Sequence, residues 1–248
     1  MAYHALHPMS KSATPLPELL DLLEQHYGPQ EPVWPTDPYL FLVWWYSGYP
    51  ASDAACGKGW ECLRHEVGVA TQEILAAKPS ALAKALKPGG MVPELRAMRL
   101  KELAARVQDQ FGGDLRTALA GPSAQARKIL KTFHSIADPG ADRILLFAGI
   151  APLPAVASNC PYVLVRIQHG REHENYGVTY KEAQQAIAAE ISETFAARTR
   201  AYLLLKRHGQ EVCRPKPKCS ECVVSERCAY FAGSLRGRSV RTGNPRRG

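Results

Sequence analysis

Four cysteines close to the C-terminus constrain this chain more than any other feature. Cys213, Cys219, Cys222 and Cys228 fall within sixteen residues in the pattern C-x5-C-x2-C-x5-C, among Arg214, Lys216, Lys218, Glu226 and Arg227. So charged a segment is no oily core element, and its thiols are metal ligands or disulfides. The opening MAYHALHPMSKS is polar and broken by proline, without the apolar stretch of an export signal, so a cytoplasmic setting is expected. Clustered thiols in a reducing compartment bind metal more often than they pair. Structural zinc sites use short C-x2-4-C knuckles around a longer spacer, whereas here one C-x2-C carries a five-residue arm on each side. A 4Fe-4S cubane takes one thiolate per iron and suits the same crowding. Spacing alone leaves zinc and the cluster open, with a lean to the cluster.

The chain has 248 residues and 46% hydrophobic content, enough to bury a core as one large or two small domains. No apolar run approaches the length that crosses a bilayer, so no membrane partner is expected. A net charge of +8 favours a polyanionic partner. Part of that excess is local. Arg236, Arg238, Arg241, Arg246 and Arg247 lie in a tail, residues 232–248, that holds no acid and reads as disordered. Such a tail serves equally as a solubilising end or as an arm that tracks DNA.

Helical periodicity runs through almost the whole chain, and strand signals are nearly absent. Residues 15–27 place Leu19, Leu22 and Leu23 on one face of an amphipathic helix. After a Pro- and Gly-rich loop, Asp37-Pro38 supplies a cap and a first-turn proline for an apolar helix through Trp45. Further helices are predicted from Ser80, from Pro93 to the stop at Gly112-Gly113, and from Ser123. In FHSIADPGADRILLFAG, Asp138 is placed as an N-cap, Pro139 in the first turn and Gly149 at the C-terminal stop. A cap at Ser158 or Asn159 opens the next segment. One long helix is then expected from Lys181 to about His208, with Ala183, Ala186, Ile187, Ile191 and Phe195 along one stripe.

These segments together resemble the helix-hairpin-helix DNA glycosylases of the endonuclease III type. YLLLKRHGQEVCRPKPKCSECVVSERCAYF is similar to that family's last helix and cluster loop, with a first cysteine interval of five residues where the family has six. ADRILLFAG followed by VASNCPYVLVRI is similar to the second hairpin helix and the element after it, and SGYPASD, ending at Asp53, to the S-x-Q-x-x-D region. The resemblance runs from about residue 37 to 230. It implies an all-α, two-domain fold: residues 1–36 packing with the cluster domain, a six-helix barrel-like domain over 37–157 with the hairpin at 133–140, and C-terminal helices with the cluster loop over 158–231. It also implies a 4Fe-4S cluster rather than zinc on Cys213, Cys219, Cys222 and Cys228. The implied partner is double-stranded DNA, lesion-containing in the repair context, bound by a monomer that sits with the nucleoid when on DNA.

The matched positions depart from the family where its chemistry lies. Ala157 stands at the place of the catalytic aspartate and Pro139 at the place of the lyase lysine, so neither water activation nor Schiff-base attack has its usual group. The hairpin's L-P-G-x-G is here Phe133, His134, Ser135, Ile136 and Ala137, followed by Asp138. Side chains in place of glycines narrow the approach of backbone N–H groups to a phosphate, and Asp138 repels it. His134, Ser135, Ile136 and Ala137, with Arg214, Lys216 and Lys218, remain the DNA-contact candidates. Asp138 and Asp142 are the substitute carboxylates, each better explained as a cap or an ion-pair partner, and Glu172 and Glu174 read as a charged loop. Cys160 reads as a small buried group, and Cys56 and Cys62 make no metal site. Of the aromatics Trp44, Trp45, Tyr46 and Tyr49, Tyr49 is the candidate for stacking on an extruded base. Three readings stay open: a binder of distorted DNA, a glycosylase with a substitute catalytic residue, and an interaction scaffold. Lysine-dependent cleavage at abasic sites is expected to be absent.

Overall fold

The structure, a computed structural model, describes residues 14–234; the reading of the basic tail from position 235 onward lies outside the described residues. The helices are α1 (Leu16–Tyr27), α2 (Pro38–Tyr46), α3 (Asp53–Glu66), α4 (Thr71–Ala76), α5 (Pro79–Leu86), α6 (Pro93–Phe111), α7 (Leu115–Ala118), α8 (Ser123–Leu130), α9 (Asp138–Phe147), α10 (Tyr162–His169), α11 (Tyr176–Glu190) and α12 (Phe195–Glu211). Short 3-10 turns lie at Lys87–Gly89, Cys219–Glu221 and Ser225–Arg227. There is no strand among the described residues, and no helix among them is long and apolar enough to cross a membrane.

The chain divides into two compact units. Among the described residues, one comprises 14–28, Asn159–Ile191 and 204–234; the other comprises Pro29–Ser158 and Ser192–Leu203. In the first, α1 packs on α11 and α10 on α11. Leu16, Leu19, Leu20 and Leu23 of α1 are buried. That face is rotated from the expected one: Leu22 is half-buried, and Leu16 and Leu20 complete the stripe.

The second unit is built around α2, whose start follows from its sequence. The Asp37 carboxylate accepts from the backbone N–H groups of Tyr39 and Leu40, and Pro38 fills the first turn. Trp44 and Tyr46 are 1% and 2% exposed, so two of the three adjacent aromatics are core. Trp34, Phe41, Trp44, Trp45 and Tyr202 surround the buried Arg143 guanidinium, which lies 3.7 Å from the Trp34 ring and 5.0 Å from that of Phe41. Its Nε and one terminal nitrogen make no hydrogen bond, and ring faces together with the Asp53 carboxylate at 3.8 Å stand in for water.

Several local expectations change. The stretch from Lys181 to His208 is two helices, because Ile191 is extended (φ −107°, ψ 127°) and the Thr194 hydroxyl accepts from Ala197 N–H to start α12 afresh. α10 begins at Tyr162 with Pro161 as its N-cap residue, later in the chain than the expected start at Ser158 or Asn159. Asp138 does not cap α9 but is its first residue, with its carboxylate 2.7 Å from the Lys131 ammonium. Asp142 is paired as expected, with Arg127 at 2.5 Å, yet it is 1% exposed rather than on a solvated face. A carboxylate that deep needs that partner.

Candidate functional site

In the first unit, the end of α12 and the loop after it bring Cys213, Cys219, Cys222 and Cys228 to the wall of one pocket that encloses about 330 Å³ of empty space, part of it open to solvent. Ile167, Val212, Pro217 and Phe231 supply apolar lining, and Arg166 and His208 supply polar atoms. All four cysteines are free thiols. Burial pushes the Cys213 and Cys228 thiols up, and Cys222 up to about 11, with the neighbouring thiols adding repulsion. Four thiolates cannot gather in such a place without a cation to hold them, and the donor set therefore fits a thiolate-ligated metal group. Among the described residues, no three His, Cys, Asp or Glu side chains converge on a single point as ligands of one ion.

Two polar residues stand behind the thiols. Arg166 is buried and donates to the Arg214 carbonyl at 2.7 Å and to Glu172 at 2.5 Å, with Cys213 Sγ at 3.9 Å. Its guanidinium lies over the rings of Tyr162 and Tyr230 at 4.3 and 5.2 Å. Glu172 lies in an exposed charged loop, as expected, and from there anchors this arginine. His208 places Nε2 3.6 Å from Cys222 Sγ and Nδ1 3.0 Å from the Tyr27 hydroxyl. Burial lowers the His208 imidazole to about 4. Arg214, Lys216 and Lys218 are exposed on the loop, with Arg214 Nε donating to the Gln210 carbonyl and Lys218 3.1 Å from Glu221.

Cys160 is 5% exposed and faces Gly209 of α12, where an added Cβ would lie 2.6 Å from Cys160 Cβ, 2.8 Å from its Sγ and 2.9 Å from Val163 Cγ2. The helix approaches α10 that closely because position 209 has no side chain. Gly209→Ala is accordingly expected to lose ~1–3 kcal/mol from overpacking, even though alanine is the better helix former by ~1 kcal/mol. Thermal unfolding of the two proteins reads the sign directly; an alanine variant as stable as the parent would contradict the contact.

In the second unit, α8, the turn 131–137 and α9 form the hairpin. Ser135, at the position of the family's first hairpin glycine, has φ +60°, a left-handed conformation unusual for a residue with a side chain. His134, Ser135 and Ala137 are exposed, and Phe133 and Ile136 are buried beneath them. The Tyr46 hydroxyl donates to the His134 carbonyl at 2.8 Å, fixing the turn to α2. Pro139 lies in the first turn of α9, and Ala157 is 4% exposed. The three carboxylates of interest each face a cation: Asp138 faces Lys131, Asp142 faces Arg127 and Asp53 faces Arg143.

Beside this turn, Tyr46, Arg99, Glu102, Leu103, Arg106 and the stretch 132–134 line a groove of about 380 Å³. Arg106 donates to the Thr132 carbonyl at 2.9 Å and stacks on Phe133, and His134 Nε2 is 2.9 Å from Glu102. At the head of α6, Met91 and Val92 are 83% and 56% exposed, and Val92 has φ +50°. A β-branched residue held there stores ~1–3 kcal/mol of strain. Tyr49 is half-buried and stacks on Trp45 at 4.2 Å. Reading the sequence passed over Arg96, Arg99, Arg106, Met91 and Val92. Arg96 had a signal, since it interrupts the apolar stripe of Ala97, Leu100, Leu103 and Val107; the others had none.

No protein-family model matches the chain, and no curated protein matches it in sequence. Solved structures do. An endonuclease III bound non-covalently to DNA aligns with a TM-score of 0.69 at 16% identity, over 89% of this chain and 97% of that one. A thermostable thymine-DNA glycosylase aligns at 0.67 and 20% identity, over 88% and 97%. The Helicobacter pylori 3-methyladenine DNA glycosylase bound to 1,N6-ethenoadenine aligns at 0.58 and 16%, over 80% and 98%. The chain has the all-helical fold of the helix-hairpin-helix DNA glycosylases.

Proposed function

We propose that this chain binds duplex DNA and recognises distorted or damaged sites without the lysine-dependent lyase reaction, and that Cys213, Cys219, Cys222 and Cys228 hold a 4Fe-4S cluster. The observation that carries the DNA reading is the hairpin turn. Its Ser135 takes a left-handed conformation that favours glycine, the residue the resemblance places there, and the turn leaves His134, Ser135 and Ala137 open to solvent. Lys131 neutralises much of the repulsion that Asp138 would exert on a phosphate. Arg99 and Arg106 add side-chain cations beside a turn whose backbone is more encumbered than glycines would leave it. The exposed, strained Met91-Val92 tip has the character of an apolar wedge that unstacks a weakened base step, and Tyr49 on Trp45 offers a face for an extruded base.

The cluster reading is supported by four cysteines lining one pocket and by their spacing, one C-x2-C with a five-residue arm on each side, which suits a one-thiolate-per-iron cubane better than the paired short knuckles of structural zinc sites. Bound there, the cluster would tie the arms of the loop together and keep Arg214, Lys216 and Lys218 presented. A lyase step has no lysine at Pro139 and no carboxylate at Ala157, and Asp138, Asp142 and Asp53 are each held by a cation.

Fluorescence anisotropy on plain, mismatched and abasic duplexes tests the reading. Binding is expected at low salt, tighter to the distorted duplexes, and the Arg99→Gln, Arg106→Gln double variant is expected to reduce the salt slope by about 1–2. Borohydride added to the abasic complex is expected to trap no covalent adduct. Absence of binding at ~50 mM salt would end the DNA reading, and a trapped adduct or a released free base would turn it towards an enzyme.

A further inference from the structure

The cluster reading explains the four thiols but not the polar pair behind them. Tyr27 ends α1 and His208 lies in α12, 181 positions later, yet their side chains meet at 3.0 Å and the imidazole's other nitrogen faces Cys222 Sγ at 3.6 Å. His208 is 1% exposed, so neither nitrogen has water as a ready partner. A neutral imidazole carries one N–H and one lone pair, and the two neighbours decide which nitrogen has which. A metal-bound cysteine has lost its proton and presents only lone pairs. An Nε2 lone pair set against that sulfur would be repelled, whereas an Nε2–H would donate to it. Donation from Nε2 leaves Nδ1 as an acceptor, and the Tyr27 hydroxyl is placed to fill it.

Resting on the cluster reading, we infer that Tyr27 and His208 form an orienting relay, in which the Tyr27 O–H donates to Nδ1 and thereby fixes Nε2–H as a hydrogen-bond donor to the Cys222 thiolate. Both are positioning residues: His208 touches the Cys222 ligand, and Tyr27 acts on that ligand only through His208. Burial raises the Tyr27 phenol to about 12, so it keeps the proton it must donate. The relay gives α1 a role that its apolar stripe alone does not, since the stripe would pack equally well with phenylalanine at position 27. Hydrogen bonds to ligating sulfur withdraw electron density and favour the reduced, more negative cluster. Outer partners of this kind also hold a ligand in its geometry.

The test compares the full chain with His208→Phe, His208→Gln and Tyr27→Phe, purified anaerobically. Iron per chain, visible absorption and the reduction potential by film voltammetry are measured for each. The relay predicts that His208→Phe keeps its iron while its potential moves negative. Tyr27→Phe should move the same way by less, and His208→Gln, whose amide can both donate to sulfur and accept from Tyr27, should return most of the shift. Equal potentials in all four proteins at equal iron content would overturn the relay and leave the cluster standing. Complete loss of metal in both His208 variants, with Tyr27→Phe unaffected, would make His208 a ligand instead of an orienting donor. Parent protein without iron would defeat the cluster reading itself, before any variant is compared.

Discussion

Exchange of Cys222 for alanine is expected to strip the cysteine pocket of iron and to loosen residues 213–228, with a loss of stability far beyond that of Cys160→Ala. Structural metal sites contribute ~10–16 kcal/mol of folding free energy in small domains, so one ligand in four represents several kcal/mol. Little else holds this loop. Its 3-10 turns at Cys219–Glu221 and Ser225–Arg227 bury no residue of their own, and Val224 is its one fully apolar anchor at 1% exposure. Cys160 is as hidden as any ligand, but it packs against Gly209 and Val163 inside a continuous core. Its sulfur is worth ~1 kcal/mol by area. Iron analysis, thermal unfolding and protease nicking between 213 and 228 separate the two variants. Equal protection and equal unfolding temperatures would show that the thiols hold nothing. Zinc in place of iron would change the metal and leave the ligand set intact.

What the sequence revealed and what it hid divide along the range of the forces involved. α6 was legible to its ends, because Pro93 in the first turn and left-handed Gly112 at the stop are local devices that act within one turn of helix. α2 was legible through Asp37 for the same reason. The break between α11 and α12 was missed because Ile191 and Phe195 continue the apolar spacing across it, and only the Thr194 cap betrays it. The four cysteines, spaced within one loop, announced their pocket. Their polar neighbours did not, since Tyr27 with His208, and Arg166 with the Arg214 carbonyl, are pairs made by packing between segments far apart in sequence. The hairpin illustrates both limits. Its residues were identified by register, yet that Ser135 would adopt a glycine-like φ, and that Lys131 would answer Asp138, depend on the fold that closes around them.

The largest effect in the second unit is expected from Arg96. This side chain is 2% exposed and its guanidinium serves four backbone carbonyls: Leu86 at 3.1 Å, Gly90 at 2.7 Å, Met91 at 3.1 Å and, closer still, Ser47. It thereby binds the end of α2 to the turn between α5 and α6, and that turn presents Met91 and Val92. Gly89 leaves room for the guanidinium, since a Cβ there would fall 2.6 Å from one of its nitrogens. Arg96→Met keeps the length and the apolar stem but orphans the carbonyls. At ~1–3 kcal/mol for each buried acceptor left unpaired, the cost is about 4 kcal/mol or more, which lowers the unfolding temperature by ~10 °C in a chain of this size. Arg96→Lys should fall between, because an ammonium retains the charge but cannot span four acceptors with a planar fork. If Met91 and Val92 act as a wedge, both variants should also lose discrimination between distorted and plain duplexes at temperatures where they remain folded. The strained φ of Val92 persists only while Arg96 holds the Gly90 and Met91 carbonyls immediately before it. An Arg96→Met protein that unfolds within ~2 °C of the parent would mean that water reaches those carbonyls and that the turn is held by something other than this side chain.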